Sequence, residues 1–425
     1  MNRKIKGRNK MIEGQIIRYY RQKLGLTLEQ LGKGICTLAY LSKIELGQTI
    51  YSSEIVELLS NRLNIDINNE VNLFKNTKDS LNRWQKAIFM QNMKEVEELK
   101  EELEKKPYLH STEFAPFYQL LRAKYYILKK EYEKSYTILR SVEKEFPVLP
   151  QYEKNLQLHV WGIYYTSIYD TSNSNNKNLA LNILKKINMD EYKTPEYYYN
   201  LAEAYHLVQN KMMAYVYAEK ALVHFKEMNN LVMMLEAEAL MLAQIQNDQH
   251  ADFEKIVESY KSLIHLCDLL HEPDKKVSLL GNLSNLFYSR KDYIRAQEIV
   301  QDALEIVDKK SIRYVRQLRN YLVICLEGNL MKKTEMLKIA QHGLLTAKKL
   351  DNLLLQKAFK MLIYRIEENI EQYYKYIELD ALPYFQSMKY SMWINKYAKE
   401  LYSHYIDTEQ YEKVAKMSNI LVEVN

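Results

Sequence analysis

The side chains able to do chemistry in this chain are hydrogen-bonding ones, and their types and spacing point to recognition and not to bond-making. There is no glycine-rich phosphate loop, no HExxH and no CxxC. His265, Cys267, Asp268, His271 and Glu272 form the only local group of possible metal ligands. On a helix Cys267 and His271 share a face and His265 does not, so neighbours alone do not assemble a tetrahedral site. No metal, cofactor or enzyme activity is expected. Two other sets remain. Thr37, Leu38, Ala39, Tyr40, Ser42 and Lys43 lie on one short segment; its polar members can hydrogen-bond to base edges, and Leu38 and Ala39 can touch thymine methyl groups. Asn200, Asn282, Asn285 and Asn320 recur much further along. A carboxamide can satisfy both the amide and the carbonyl of an extended peptide backbone, and Tyr205 and His206 stand beside the first of these asparagines.

The first set is positioned by a recognisable pair of helices. Thr27, with Gln30 three residues later, has the form of a capping box, so a helix starts at Leu28. Leu28, Leu31 and Ile35 share its inner face, and Gly32 is small enough for a close helix crossing. Gly34-Ile35-Cys36 makes the turn, and Thr37 caps a second helix in which Leu41 and Ile44 point inward. Gly47 ends it. This reading leaves residues 38–40, 42 and 43 on or near the outer face. The stretch ICTLAYLSKIELG, preceded by IIRYYRQKLGLT and followed by SSEIVELLSNRLNI, resembles the Cro/C1-repressor-like (XRE) helix-turn-helix family over about residues 12–66. That resemblance implies a DNA-binding domain in residues 1–66, with Glu45 paired structurally to Arg21.

Charge points the same way. Residues 1–66 hold 11 Lys and Arg against 6 Asp and Glu, a net of +5, while the whole chain is only +6. The positive charge thus concentrates where phosphates would need it. Lys4, Lys6, Arg8 and Lys10 can form a flexible arm on the DNA backbone or a solvated, disordered terminus.

Beyond this domain the composition is helical. The chain is 47% hydrophobic and 27% charged, with little strand-like alternation, and its 10 Gly and 7 Pro imply few turns. Cys36, Cys267 and Cys325 sit far apart in apolar helical patterns and read as buried thiols in a reducing cytoplasm. Neither an N-terminal apolar signal segment nor a run of 18 apolar residues occurs, so a cytoplasmic protein is expected.

Residues 67–79, inside the Asn-rich stretch NIDINNEVNLFKNTKD, read as a linker. From about Ser80 small residues and aromatics recur at fixed offsets: Ala123, Tyr126, Tyr132 and Ser135; Ala202, Tyr205, Ala214, Ala218 and Ala221; Ser284, Phe287, Tyr293, Ala296 and Ala303. Tyr126 to Tyr205 is 79 residues, Tyr205 to Phe287 is 82 and Phe287 to Tyr405 is 118, which fits about nine units of roughly 40, counting a first hairpin at Trp84 to Glu104. The spacing resembles the tetratricopeptide repeat. An all-α chain is expected, with the Cro/C1-like domain followed by a right-handed repeat superhelix over 80–425. The first helix of each repeat would line a peptide-sized groove.

The combination resembles the RRNPP family of peptide-pheromone-responsive regulators, and within it the NprR and PlcR types, over essentially the whole chain. The resemblance implies operator DNA and a short signalling oligopeptide as partners, with asparagines of the groove holding the peptide backbone. Asn200, Tyr205, His206, Asn282, Asn285 and Asn320 are the matching positions, and Arg122 and Lys124 are read as surface charge or, alternatively, as partners of a peptide carboxylate. A homodimer, or a higher oligomer, is expected because one helix-turn-helix reads too few base pairs. The alternative is a Rap-like scaffold that sequesters a response regulator, with DNA binding secondary.

Overall fold

The computed structural model describes residues 2–168, 175–246, 248, 250–388 and 390–424, and the side chains of 11–168, 176–246, 248, 250–388 and 390–422. The described residues form helices and no strand. In order these are α1 (Asn2–Lys23), α2 (Leu28–Gly32), α3 (Leu38–Glu45), α4 (Ser53–Leu63), α5 (Ile67–Met90), α6 (Met93–Leu103), α7 (Ala115–Leu128), α8 (Tyr132–Glu145), α9 (Gln151–Ser167), α10 (Asn175–Leu184), α11 (Met189–Tyr192) and α12 (Glu196–Leu207). There follow α13 (Lys211–Glu227), α14 (Leu231–Ile245), α15 (Phe253–Leu269), α16 (Pro273–Ser289), α17 (Tyr293–Ile306), α18 (Ile312–Glu327), α19 (Lys333–Lys349), α20 (Leu353–Ile366) and α21 (Ile370–Tyr376). A π-helical segment, Ile377–Ala381, leads into α22 (Leu382–Ser387), and α23 (Ser391–Asp407) and α24 (Tyr411–Val424) complete the order. The chain divides into two compact units: Met1–Tyr164 with Lys186–Thr194, and Tyr165–Lys185 with Pro195–Asn425.

In the first unit α1 to α4 close on Ile17, Leu31, Leu41, Ile44, Tyr51, Val56, Leu59 and Leu63. The capping box forms as the sequence requires: Gln30 N donates to Thr27 Oγ1 at 3.1 Å and Thr27 N to Gln30 Oε1 at 2.8 Å. The close crossing, however, is at Gly14 and not at Gly32. A Cβ on Gly14 would lie 2.1 Å from the Ile44 carbonyl oxygen, whereas one on Gly32 would make ordinary contact with Leu41 at 3.4 Å. Arg21 joins Glu45 through Nε and Nη2 at 2.6 and 2.8 Å, and its Nη1 donates to Leu26 O. This bidentate pair fixes α1 to the end of α3. Gly47, at φ +67°, terminates α3: its N–H reaches Ile44 O and that of Gln48 reaches Lys43 O, the Schellman pattern.

The expected linker is helix. Residues 67–79 are the first half of α5, started by the Asp66 carboxylate, which accepts from Asn68 N and Asn69 N. Val71, Phe74, Leu81, Trp84 and Ile88 recur at helical spacing and are buried, which leaves the asparagines of that stretch on other faces. Phe74 and Tyr108 pack at 5.4 Å, and Tyr108 in turn meets Tyr19 at 4.8 Å. Its hydroxyl bonds to Glu70. The helix-turn-helix and the hairpins α5/α6 and α7/α8 therefore share one unit, with aromatic packing from α1 inward.

In the second unit the hairpins are α12/α13, α14/α15, α16/α17, α18/α19, α20 with α21 and α22, and α23/α24. Ala202, Ala214, Ala218, Ala221, Ala296 and Ala303 are fully buried where the paired helices cross. Ser284 Oγ donates to Ala296 O at 2.7 Å, twelve residues on; in the first unit Trp84 Nε1 does the same to Val96 O at 3.0 Å, also twelve residues on. The repeat is thus physical as well as sequential.

The scarcity of glycine did not mean few turns. Gln91, Gln209, Asn229, Lys291, Asp351 and Glu368 adopt φ between +50° and +63°. Each is followed directly by an Asn or Asp that caps the next helix: Asn92, Asn210, Asn230, Asp292, Asn352 and Asn369. A left-handed residue other than glycine costs about 1–2 kcal/mol, and the cap that follows offsets about 0.5–2 kcal/mol of it. Five of these six caps are asparagine.

Candidate functional site

The candidate DNA-reading face is built on α3. Thr37 Oγ1 accepts from Tyr40 N at 3.3 Å, so the hydroxyl that starts the helix also marks its exposed edge. Leu41 and Ile44 are fully buried, and Leu38, Ala39 and Lys43 are exposed, Leu38 by 50%. Ser42 is half-buried. Tyr40 departs from expectation: it is half-buried, packs against the core, and its hydroxyl donates to Ile50 O at 2.9 Å. Its ring is a brace between α3 and the following loop. Arg62 on α4 closes the far side, donating from Nη1 to Leu31 O at 2.8 Å and Lys33 O at 2.5 Å, where a cation suits the end of α2. Lys4, Lys6, Arg8 and Lys10, expected as an arm or a disordered terminus, have helical backbone within α1; their side chains lie outside the described ones. Cys36, expected buried, is partly exposed.

The candidate ligand site is a cavity of about 380 Å³ in the second unit. Its walls come from the end of α9, from α12, α14 and α16, and from the start of α18. From α12 onward these are the first helices of successive hairpins, which is how a repeat array makes a groove. Of the six residues expected there, His206 and Asn282 line the cavity. Asn200 is 6% exposed and its Nδ2 donates to Glu203 Oε2 at 3.0 Å. Tyr205 is 7% exposed and stacks on Tyr217 with ring centroids 5.6 Å apart. Asn285 is exposed, and Asn320 accepts from Arg319 Nη1 at 3.3 Å; neither is on the cavity wall. His206 Nδ1 pairs with the Gln244 carboxamide at 3.0–3.2 Å. In the first unit Lys124, expected as surface charge, is buried, and Arg122 donates to Gln119 at 2.9 Å and lies over the Tyr118 ring.

The side chains missed by sequence reasoning are the charged ones. Glu203, Glu236 and Asp274 stand on three consecutive first helices, 33 and 38 residues apart, a spacing near the repeat length. That periodicity of carboxylates was the available signal. Lys275 Nζ lies 2.5 Å from Glu236 Oε1, and Arg313 pairs with Asp274. Tyr199 donates toward both Glu203, at 3.3 Å, and Glu236, at 3.4 Å. Desolvation, with Glu236 nearby, pushes the Glu203 carboxyl up to about 7 against the opposing hydrogen bonds from Asn200 and Tyr199. The wall therefore carries amide, imidazole, ammonium and carboxyl groups side by side. It suits a polar, extended ligand with several hydrogen-bonding positions.

Residues 17–68 match the helix-turn-helix family HTH_3. Over 406 residues the chain is 21% identical to the transcriptional activator NprA of Geobacillus stearothermophilus, covering 91% of this chain and 96% of that one. Among solved structures, the quorum sensor NprR from B. thuringiensis in its apo form superposes with a TM-score of 0.65 at 18% identity, over 82% of this chain and 99% of that one. NprR in complex with its cognate peptide NprX gives the same values. A Rap protein complexed with competence and sporulation factor gives 0.67 at 16% identity, over 82% and 97%. These structures share the fold of stacked helical repeats. The matched helix-turn-helix, the similarity to NprA over nearly the whole chain and the shared repeat fold agree with the resemblance to RRNPP-type regulators read from the sequence.

Proposed function

We propose that this protein is a transcription regulator whose grip on operator DNA is set by a short signalling oligopeptide held in the repeat groove. DNA binding is assigned to residues 1–66 and peptide binding to the repeats of 80–425. Thr37, Leu38, Ala39, Ser42 and Lys43 present the reading face, with Tyr40 bracing it; Asn282 and His206 meet the peptide, Asn200 and Tyr205 shape the wall, and Asn285 and Asn320 extend it. The protein acts as a cytoplasmic homodimer, so that two reading helices span two half-sites. The observation that carries this reading is a matched helix-turn-helix in a chain whose polar cavity is lined by successive first helices. NprA is a transcriptional activator, and NprR has been solved with its cognate peptide, which supports the same reading.

A peptide that controls DNA binding must bind one arrangement of the protein better than another, and the linkage is reciprocal. Whatever factor the peptide applies to operator affinity, operator must apply to peptide affinity. DNA retained by the purified protein is sequenced to obtain the operator, and peptide is titrated with and without saturating operator at one salt concentration. The expected difference is about 5- to 150-fold. Equal peptide affinities in both titrations would show that the groove does not gate DNA binding.

A further inference from the structure

A second cluster lies further along the first helices of the second unit, beyond the cavity. Arg319 on α18, Arg365 on α20 and Lys396 on α23 come together there with Glu327 and Glu400. Arg365 is matched, its Nη2 lying 2.6 Å from Glu327 Oε1. Glu400 accepts from the Tyr373 hydroxyl at 2.7 Å. Arg319 and Lys396 have no carboxylate within ion-pair distance among the described residues, unlike Lys275, Arg313 and Arg365 of the same groove. The Arg319 guanidinium lies 5.0 Å over the Trp393 ring, and Lys396 Nζ lies 5.4 Å from the centre of the Tyr397 ring. Arg319 Nε is buried without a hydrogen-bond partner. Lys396 remains open to solvent.

Arg319 and Lys396 repel each other, and the nearby Glu327 and Glu400, engaged by Arg365 and Tyr373, only partly offset this; an incoming anion relieves the rest. Desolvation and the charge of Arg319 accordingly hold the Lys396 ammonium below its ordinary range. Three cations against two carboxylates leave one positive charge, which fits a single negative charge better than a phosphate dianion. The Arg319 guanidinium is steadied on Trp393 and shared with Asn320 and Tyr397, so it brings its charge and remaining donor capacity to a carboxylate, and Lys396 adds a mobile point charge.

We infer that Arg319 and Lys396 form a carboxylate-binding subsite of the repeat groove, which takes one carboxylate of the bound oligopeptide. This rests on the peptide-groove reading. The carboxylate is the peptide's C-terminus or an acidic side chain, and the two sources are separable.

The test uses the full-length protein, immobilised, and a random heptapeptide mixture made once with free C-terminal carboxylates and once as C-terminal amides; retained peptides are read by mass spectrometry. The subsite predicts that free acids are retained over amides by about tenfold or more, and that this preference falls to near one in Arg319→Gln and in Lys396→Met. Lys396 is exposed, so its variant keeps the fold, and circular dichroism checks both. Retained amides enriched in Asp or Glu, with the enrichment lost in both variants, support the subsite and assign the carboxylate to a side chain. Equal retention of acids and amides by the wild type, without acidic enrichment, overturns the subsite and leaves the groove reading intact. Retention of no peptide of either kind overturns both.

Discussion

The helix-turn-helix and the repeat groove use similar residue types to opposite structural ends. The proposed reading face lies on one short helix, α3, and its cap Thr37, so local periodicity decides which side chains point out: Leu41 and Ile44 are buried, while Leu38, Ala39 and Lys43 are exposed. In the groove each of α12, α14, α16 and α18 supplies only a few of the lining side chains. The proposed DNA-reading face is written in a run of residues, whereas the cavity wall is written at intervals of about a whole repeat. The difference also predicts where each is vulnerable, since the reader depends on how α3 is held and the groove on which groups share a wall.

The sharpest way to break the reader is through its anchor. Glu45 is 5% exposed and meets Nε and Nη2 of Arg21, so Arg21→Met strands a buried carboxylate. The expected cost is about 3–5 kcal/mol, seen as a lower unfolding midpoint of unit 1 and loss of operator binding, because α3 loses its tie to α1. A variant that unfolds like wild type would mean the pair is not what positions α3.

In the groove the comparable probe is pH. The Glu203 carboxyl, raised to about 7, binds its proton more tightly in the folded state than in the unfolded one, where it returns to the ordinary carboxylate range. Its contribution to stability is therefore highest below about pH 4.5 and falls as pH rises towards and through 7. The full swing is on the order of 2–3 kcal/mol. Denaturant midpoints of the wild type should decline over that window by more than those of Glu203→Gln, which cannot titrate. Parallel pH profiles for the two proteins would show that Glu203 is solvated in solution.

These two sites also show what the sequence could and could not disclose. Thr27 with Gln30, Gly47, and Arg21 with Glu45 act within short or familiar spacings and were legible. So were the alanines and serines at helix crossings. Gly14 was missed because its partner, the Ile44 carbonyl, is backbone and lies thirty residues away. The linker expectation fails because an asparagine-rich stretch reads as a breaker, whereas Asp66 caps a helix there whose apolar stripe is diluted by polar residues. Asn200 and Asn282 looked equivalent by position, yet one holds Glu203 and the other lines the cavity. Which way an asparagine side chain commits depends on a neighbour one repeat away or one turn on, and no spacing rule encodes that.

The reading face itself is tested by exposed residues. Lys43→Ala and Leu38→Ala remove groups that project from α3 without supporting its core. Each should weaken operator binding by about 1–3 kcal/mol if it contacts a base, with unfolding nearly unchanged. A phosphate contact is told apart because it lowers the salt slope by about one and weakens all sequences alike. Wild-type affinity in the double variant would remove α3 from the role of reader.

The smallest effect separates the two uses a tyrosine can have on such a face. Tyr40 was expected outward, as a base contact, but its hydroxyl donates to Ile50 O at 2.9 Å and its ring packs on the core. Tyr40→Phe keeps the ring and deletes only that bond. Ile50 is 83% exposed, so water can replace the lost donor at its carbonyl and the cost stays at or below about 0.5–1.5 kcal/mol. If Tyr40 is a brace, operator affinity measured below the unfolding transition changes little, and selectivity among operator bases does not change. If the hydroxyl instead turns to the DNA on binding, stability is unaltered while one base position loses discrimination by about 1–3 kcal/mol. Measuring unfolding and a single-base operator panel on the same variant decides between the two, because each use moves only one of the readouts.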